Sequence, residues 1–307
     1  MTILGIHSGA LGDVVLFGQF LDALRDKRGG RVRLVAGGEK GKLLAGLGVV
    51  DEALDFDSLP MEQVFSAAPA GRCDLPGRLG ECELLVSCFA AGNDPAQRRL
   101  EEFTSARESL FLPVRPPAGC DGHMLDIWAA QAGLDGVSPP TWSAPEQWRR
   151  NGCRALRGLG VDPARPYVLI HPGAGGQAKC WPLENFIELA AAISSLGGTT
   201  VAVFVVGPTE LDWWGQQTIA ALQDRFPTLI CPPLSVLAAV AAEAGAYVGN
   251  DSGPTHLAAA VGAAVVALFG LGATASFAPR GRRVAVLDRQ GLGSLSVGAV
   301  LTAMESI

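Results

Sequence analysis

Runs of apolar residues alternate with amphipathic segments along most of the chain. The runs TILGI, RVRLVAG, ELLVSCF, YVLIH, TTVAVFVVG, AYVGN and AAVVALFG have the length and composition of buried strands, and TLIC is a weaker one. Between them lie segments with apolar residues at helical spacing, such as VVLFGQFLDALRDK, KLLAGLG, PLENFIELAAAISSLG and LSVLAAVAAEAG. This alternation predicts an α/β fold with parallel sheets that helices cover on both faces.

A proline-dense stretch between residues 136 and 166 interrupts the pattern. The sequence SPPTWSAPE precedes a polar, helix-like segment, EQWRRNGCRALRGLG, and VDPARP follows it. Such flanks are typical of an inter-domain connection, so we predict an N-terminal domain over residues 1–160, with the linker helix, and a C-terminal domain over residues 161–307. Ligands of open parallel sheets bind at the carboxyl ends of the strands, which makes a cleft between the domains the expected site.

One uncharged stretch, residues 257–278, is long enough to suggest a membrane span. Gly262 divides it into a short helical segment, HLAAAV, and a β-branched run, AAVVALFG, after which Gly270 and Gly272 end the strand. We therefore predict a buried helix and a buried parallel strand instead.

The composition narrows the class of protein. An apolar fraction of 49% in 307 residues suits a globular enzyme with a large core. The net charge of -6 argues against a nucleic-acid-binding protein. The seven cysteines form no C-x-x-C pair, and the N-terminus has no basic, apolar signal segment. We therefore expect a cytoplasmic protein without a disulfide framework or a zinc site.

The first candidate site follows the first predicted strand, in HSGALGDVV. A glycine-containing loop leads there into a helix that we expect to begin at about Asp13. The Asp13 carboxylate either caps the helix or faces the mouth of the cleft as a general base. The local sequence leaves both interpretations open.

The second candidate site is the glycine-rich loop in HPGAGGQAKCWPLENF. Its glycines allow backbone amides to face an anion. Lys179 is the only lysine in residues 161–307, and it is either a phosphate clamp or an exposed surface lysine. The run GAGGQA also satisfies the loose dinucleotide pattern G-x-G-x-x-A, but no acidic residue ends the next strand at the right place.

Two further stretches follow later predicted strands. In VVGPTELDWW, Glu210 either accepts hydrogen bonds from ribose hydroxyls or complements the start of a helix. In GNDSGPTHLAAA, Pro254 fits the first position of a helix, whose N-terminal amides form an anion site. Asp251 is expected to shape this turn by accepting backbone N–H groups, and His256 either donates to a phosphate or packs as a structural residue. The candidate anion donors are Ser252, Gly253, Thr255 and His256.

Three of these motifs occur in one order and at domain-scale spacing. LGDVVLFGQFLDALR, HPGAGGQAKCWPLENFIELA and VGNDSGPTHLAAAVGAAVVALFG together resemble glycosyltransferase family nine, the heptosyltransferases, over essentially the whole chain. The resemblance implies a GT-B fold, in which two Rossmann-like domains face each other across a cleft. It also implies inverting sugar transfer, with no bound metal or other cofactor, from an ADP-linked donor to a lipopolysaccharide-core or related glycan acceptor. Heptose is the family's default sugar.

The resemblance assigns roles to single positions. Asp13 matches the family's catalytic aspartate, which takes the proton from the acceptor hydroxyl. Lys179 matches the lysine that binds the donor diphosphate, and Glu210 is similar to the acid that holds the donor ribose. The other donor-binding positions that it implies are Gly173, Ala174, Gly175, Asp251, Ser252, Gly253, Thr255 and His256.

The chain departs from the family pattern at two positions near Asp13. His7 stands where the family often has a basic residue, and Gln19 replaces a usual proline. Candidates for contact with an acidic acceptor are Arg98, Arg99 and Arg107. A lipid-linked acceptor would bring the enzyme to the inner face of the cytoplasmic membrane, and an exposed apolar patch on the N-terminal domain would support that contact.

Other classes of function stay open from the sequence. A non-catalytic nucleotide-sugar-binding protein would keep the donor loops but would not need a base at Asp13. An NAD-dependent oxidoreductase would use the GAGGQA loop but gives Lys179 no natural role. Another GT-B enzyme, such as a sugar-nucleotide epimerase, is a further alternative.

Overall fold

The chain forms two compact units, residues 1–138 and residues 139–307. The computed structural model describes residues 1–140, 142–195, 200–270, 274–289 and 291–307. The predicted boundary at residue 160 lies further along the chain, because the linker helix packs within the second unit. A Cβ added at Gly152 on that helix would lie 3.3 Å from the Ala239 side chain and 3.2 Å from Val240. The small surface at Gly152 thus lets the helix approach a later helix closely.

In the first unit, a five-stranded sheet with all its described strand pairs parallel has the order β3-β2-β1-β4-β5. Helices connect its strands. The elements in chain order are β1 (Thr2–His7), α1 (Leu11–Arg28), β2 (Arg31–Ala36), α2 (Glu39–Gly46), β3 (Glu52–Asp55), α3 (Leu75–Leu79), β4 (Leu84–Ser87), α4 (Asp94–Thr104), β5 (Glu108–Phe111) and α5 (Met124–Gln131).

In the described part of the second unit, six parallel strands form a sheet of order β11-β10-β9-β6-β7-β8. The elements are α6 (Glu146–Gly158), β6 (Tyr167–His171), α7 (Leu183–Ser195), β7 (Val201–Val206), α8 (Pro208–Gln223), β8 (Thr228–Ile230), α9 (Leu234–Glu243), β9 (Ala246–Asn250), α10 (Gly253–Ala260), β10 (Ala264–Phe269), α11 (Thr274–Phe277), β11 (Arg283–Asp288) and α12 (Val297–Glu305).

The predicted α/β class is confirmed. Every residue of the central strands β6, β9 and β10 is buried, as expected for parallel strands with helices on both faces. The uncharged stretch divides as predicted into α10 and β10. No helix in the described ranges is long and apolar enough to cross a membrane. The predicted strand end at Gly272, and the predicted α7 end at Gly197, lie outside the described residues.

Parallel order places the functional loops. All strands of a parallel sheet end at the same edge, and the predicted motifs follow β1 in the first unit and β6, β7 and β9 in the second. Because β9, β6 and β7 are neighbours in the sheet, the three loops that follow them lie side by side. The second unit therefore brings the three donor-side motifs to one edge.

Candidate active site

Asp13 lies at the third position of α1, which begins two residues earlier than predicted, at Leu11. Its carboxylate is half-buried, and Oδ2 accepts a hydrogen bond of 3.2 Å from the amide of Ala10. This contact makes Asp13 part of the helix cap, because a residue at this position commonly reaches back to the amide that precedes the helix. Capping is compatible with a chemical role, since a carboxylate has two oxygens and several lone pairs.

His7 ends β1 directly behind this loop and is 3% exposed. Its Nδ1 accepts a hydrogen bond of 2.9 Å from the amide of Gly9. The ring packs against Phe17, with 5.2 Å between centroids, and against Trp128 at 6.3 Å. Burial lowers the pKa of His7 to about 4, while the charge of Asp13 acts in the opposite direction. His7 is therefore neutral at physiological pH.

Lys40, which the sequence did not indicate as a site residue, lies at the same edge of the first sheet. Its Nζ donates a hydrogen bond of 2.8 Å to the carbonyl oxygen of Gly9. Lys40 lies in the first turn of α2, after β2, which neighbours β1. The only indication in the sequence is that Lys40 follows a strand, β2. Without the strand order, which places β2 beside β1, a lysine in a polar segment cannot be recognised as a site residue. Lys40 thus brings a positive charge to the loop that precedes Asp13.

A groove of about 530 Å³ opens elsewhere in the first unit and includes Arg98 and Arg99 in its lining. The Arg99 guanidinium donates to the carbonyls of Gln63 and Ala68, so it braces the groove wall. Phe65 is 57% exposed at the rim. Its ring contacts that of Phe89, which in turn contacts Phe56, with centroids 5.5 and 5.2 Å apart. Arg107, the third candidate, is exposed on another segment.

In the second unit, the loop after β6 packs closely on the helix after β7. A Cβ added at Gly173 would lie 1.6 Å from Oε1 of Glu210, so only glycine fits there. Ala174 is buried, whereas a Cβ at Gly175 would meet nothing within 4 Å. The glycines thus serve two needs: Gly173 permits close approach, and Gly175 lies in open space where a ligand can reach the backbone.

Glu210 is 2% exposed and complements the start of α8, which is one of the two roles that the sequence left open. It lies at the third position of α8 and accepts a hydrogen bond of 2.5 Å from the amide of Gly207, which draws it inward. Its Oε2 lies 3.8 Å from Nε2 of His171. Burial raises the pKa of Glu210 and lowers that of His171 to about 4. In this structure Glu210 supports the Gly173 loop.

Lys179 and Asp251 form an ion pair, with 2.6 Å between Nζ and Oδ2. This contact joins the loop after β6 to the turn after β9. It differs from the prediction that Asp251 binds backbone amides, because the lysine is the stronger charged donor within reach. Lys179 is 52% exposed and Asp251 is 13% exposed, so the ammonium group stays accessible to a ligand at this edge.

The turn after β9 leads into α10, which begins at Gly253, one residue before the predicted start. The Thr255 hydroxyl donates to the carbonyl of Asn250 at 2.6 Å, and the residue is fully buried. The Thr255 hydroxyl therefore stabilises the turn, and the role of Thr255 as an anion donor stays a prediction. The amides of Thr255 and His256 both donate to the Ser252 carbonyl. His256 is itself buried, at 4% exposed.

Asn250 connects these loops, a role that the sequence did not indicate. This fully buried residue ends β9. Its Nδ2 donates to the carbonyl of Pro172 at 2.7 Å, and its Oδ1 accepts from the amide of Trp181 at 3.0 Å. Both contacts are long-range in sequence, so no local pattern predicts them. Asn250 thereby holds both ends of the glycine-rich loop.

The second unit thus brings together the predicted donor-side residues, and Asp13 lies in the first unit. Within the ranges that the structure describes, no group of three or more His, Cys, Asp or Glu side chains could hold a metal ion.

Solved structures with the same fold include the glycosyl transferase family 9 protein from Veillonella parvula DSM 2008. That match has a TM-score of 0.78 and 19% identity, and covers 99% of this chain and 96% of the other. The ADP-heptose lps heptosyltransferase II of E. coli matches with a TM-score of 0.77 and 18% identity over 100% of this chain and 98% of the other. These likenesses place the chain in the GT-B class of α/β proteins, as predicted.

The chain belongs to glycosyltransferase family 9 (heptosyltransferase), whose model matches residues 129–293, more than half of the chain. The curated relatives include two proteins named lipopolysaccharide heptosyltransferase 3. The one from Escherichia coli (strain K12) is 31% identical over 205 residues, which are 61% of this chain and 55% of the relative. The one from Escherichia coli is 30% identical over 135 residues, which are 41% of this chain and 36% of the relative. The alignments therefore span about half of these relatives or less.

Proposed function

We propose that this protein is an inverting, metal-independent glycosyltransferase. It would move heptose from an ADP-linked donor to a lipopolysaccharide-core or related glycan acceptor. Family membership supports the reaction class, and relatives named lipopolysaccharide heptosyltransferase support the substrates. The observation that carries the donor side is the half-exposed Lys179, which Asp251 holds beside the start of α10.

The proposed donor site would stabilise the negative charge that develops on the diphosphate during the reaction. As the bond between the anomeric carbon and the diphosphate breaks, its electron pair moves onto the diphosphate oxygen. Lys179 would leave Asp251 for this phosphate, and the open backbone at Gly175 and the positive end of the α10 dipole would add to the stabilisation. Ribose binding by Glu210 requires that its carboxylate turn out of the buried position seen here.

The proposed acceptor side uses Asp13 as the general base. The carboxylate takes the proton of the acceptor hydroxyl while that oxygen attacks the anomeric carbon from the face opposite the diphosphate, so the configuration inverts. Because burial keeps His7 neutral, it does not form an ion pair with Asp13. We propose Arg98 and the aromatic rim at Phe65 as the surface that meets a phosphorylated, lipid-linked acceptor at the membrane.

A nicotinamide-dependent oxidoreductase fits the structure less well. In the dinucleotide fingerprint, the glycine run opens the helix directly. Here the run is followed by a 3-10 turn, Gln177–Lys179, and α7 begins only at Leu183. The sequence that satisfied G-x-G-x-x-A therefore lacks the required helix geometry.

The base is tested by Asp13→Asn and Asp13→Ala in an assay that follows ADP release and sugar transfer from ADP-heptose to a heptose-terminated core acceptor. We expect turnover to fall by about 10²–10⁴, the usual contribution of a positioned base. Asp26→Asn, on the same helix and exposed, is the matched control and should keep full turnover. Wild-type turnover in both Asp13 variants would refute this role.

A further inference from the structure

Gly9 lies where three polar side chains of the first unit meet. A Cβ added there would lie 2.5 Å from Cε1 of His7 and 3.0 Å from Oδ2 of Asp13. Real side chains essentially never approach so closely, so the residue must be glycine as long as His7 and Asp13 keep these positions. The absence of a side chain at Gly9 thus lets both His7 and Asp13 lie close to its backbone.

Both polar groups of Gly9 are engaged by side chains from different elements. Its amide donates to His7 Nδ1 at 2.9 Å, and its carbonyl accepts from Lys40 Nζ at 2.8 Å. The next amide, that of Ala10, donates to Asp13 Oδ2 at 3.2 Å. β1 and α2 therefore fix the orientation of the loop whose amide holds the Asp13 carboxylate. We call the pair His7 and Lys40 the Gly9 clamp.

The clamp depends on the protonation state of His7. Only a neutral imidazole with the proton on Nε2 offers an unprotonated Nδ1 to an amide. The ring is 3% exposed and packed between Phe17 and Trp128, and this burial disfavours the charged form. The charged groups that act on it are Asp13, which favours protonation, and Lys40, which opposes it. Burial outweighs both, so the acceptor is present throughout the physiological range.

We propose that His7 and Lys40 are positioning residues that hold the Asp13 carboxylate in the orientation needed for proton abstraction. This inference rests on the proposed function of Asp13. It assigns neither residue a proton-transfer step: His7 uses its lone pair to hold Gly9, and Lys40 uses its ammonium group. Loss of the clamp should lower kcat and leave the KM of the nucleotide-sugar donor unchanged, because the proposed donor residues belong to the second unit.

The variants His7→Asn and His7→Leu separate positioning from packing. Asparagine and leucine are similar in size, but only asparagine places an acceptor oxygen near the position of Nδ1. We expect His7→Asn to keep kcat within about threefold of wild type and His7→Leu to lose about tenfold or more, because small misplacements of a catalytic group are costly. Lys40→Met should also lower kcat, whereas Lys40→Arg, which keeps the positive charge, should have a kcat close to that of wild type. Equal kcat for asparagine and leucine at position 7 would overturn the proposal.

Nitrogen-15 NMR of the histidine rings tests the clamp without using activity. The chain has four histidines, and the signals absent from His7→Asn identify His7. We expect an unprotonated Nδ1 and a protonated Nε2 from pH 8 down to about pH 5, since the pKa of His7 is lowered to about 4. Protonation of His7 between pH 6 and 7, or a proton on Nδ1, would overturn the proposal even if the variants lost activity.

The two failures are distinguishable. Wild-type turnover in Asp13→Asn would refute the proposed base, and the positioning role would fall with it, whereas the NMR result would still decide whether His7 holds Gly9. Turnover lost in Asp13→Asn but unchanged in His7→Leu and Lys40→Met would keep the base and refute the positioning role alone.

Discussion

At the scale of single residues, the proposed donor site depends most on Lys179. Its ion pair with Asp251 spans 72 positions in sequence, so the sequence could identify both residues but not their contact. The ion pair explains how an aspartate can lie beside a proposed phosphate site. An aspartate alone beside a phosphate would repel it, whereas an aspartate paired with the proposed phosphate-binding lysine would hold the ammonium group at this edge until the diphosphate binds.

Replacement of Lys179 should therefore affect catalysis and leave stability nearly unchanged. We expect Lys179→Ala to lower turnover by about 10²–10³, the usual loss when a donor to developing charge is removed. The Tm should stay close to that of wild type, because the lysine is half exposed and such pairs contribute little. Lys42→Ala removes an exposed lysine of α2 and is the control for both measurements. Turnover of Lys179→Ala equal to that of Lys42→Ala would contradict the assignment.

The sequence indicates the residue types of the candidate site better than the directions of their side chains. The sequence identifies which residue types suit the chemistry, and Asp13, Lys179 and Glu210 all follow strand ends as expected. It does not identify which way a side chain turns. Glu210 turns inward to the Gly207 amide, and the Thr255 hydroxyl turns to the carbonyl of Asn250. Each side chain makes a hydrogen bond within the protein in place of one to a ligand. The spacing of residues in the sequence does not show which of the two hydrogen bonds forms.

At the scale of elements, the interior strands of both sheets could be predicted, whereas of the four edge strands only β8 could, as the weaker run TLIC. The interior strands β1, β2, β4, β6, β7, β9 and β10 appear as predicted, because their residues are apolar enough to be buried on two faces. The edge strands β3, β5 and β11 were missed. β3 and β5 have only four residues each, and the residues of β5 and β11 are half-buried or exposed. Short, mixed segments do not differ from loops in sequence alone.

The loop after β6 gives a prediction at this scale. Gly173→Ala should lower the free energy of unfolding by about 1–3 kcal/mol, the usual cost of overpacking, because the added Cβ meets the buried Glu210 carboxylate. Gly175→Ala, two residues later, adds the same methyl group to open space and should change stability by less than about 0.5 kcal/mol. Urea denaturation of both variants measures the difference. Equal midpoints would show that the Gly173 loop does not pack on α8 as described.

At the scale of the whole molecule, the sequence predicted two α/β units, and the structure contains them. The boundary was misplaced because the proline-dense flanks of α6 suggested a connection that belongs to the first unit. Their composition does not reveal that the small residue Gly152 packs α6 against α9. Domain membership is decided by such packing contacts, whereas the sequence shows only that a polar helix lies between two proline-dense stretches.

Calorimetric titration of the full chain with ADP, with and without EDTA, decides whether this protein is the proposed ADP-sugar-dependent transferase that needs no metal. We predict ADP binding that EDTA does not change and that Lys179→Ala weakens by about tenfold or more, as expected for loss of a charge-assisted phosphate contact. UDP, GDP and dTDP serve as comparison ligands, and NAD tests the alternative class. Binding of NAD with no response to any nucleoside diphosphate would contradict the account.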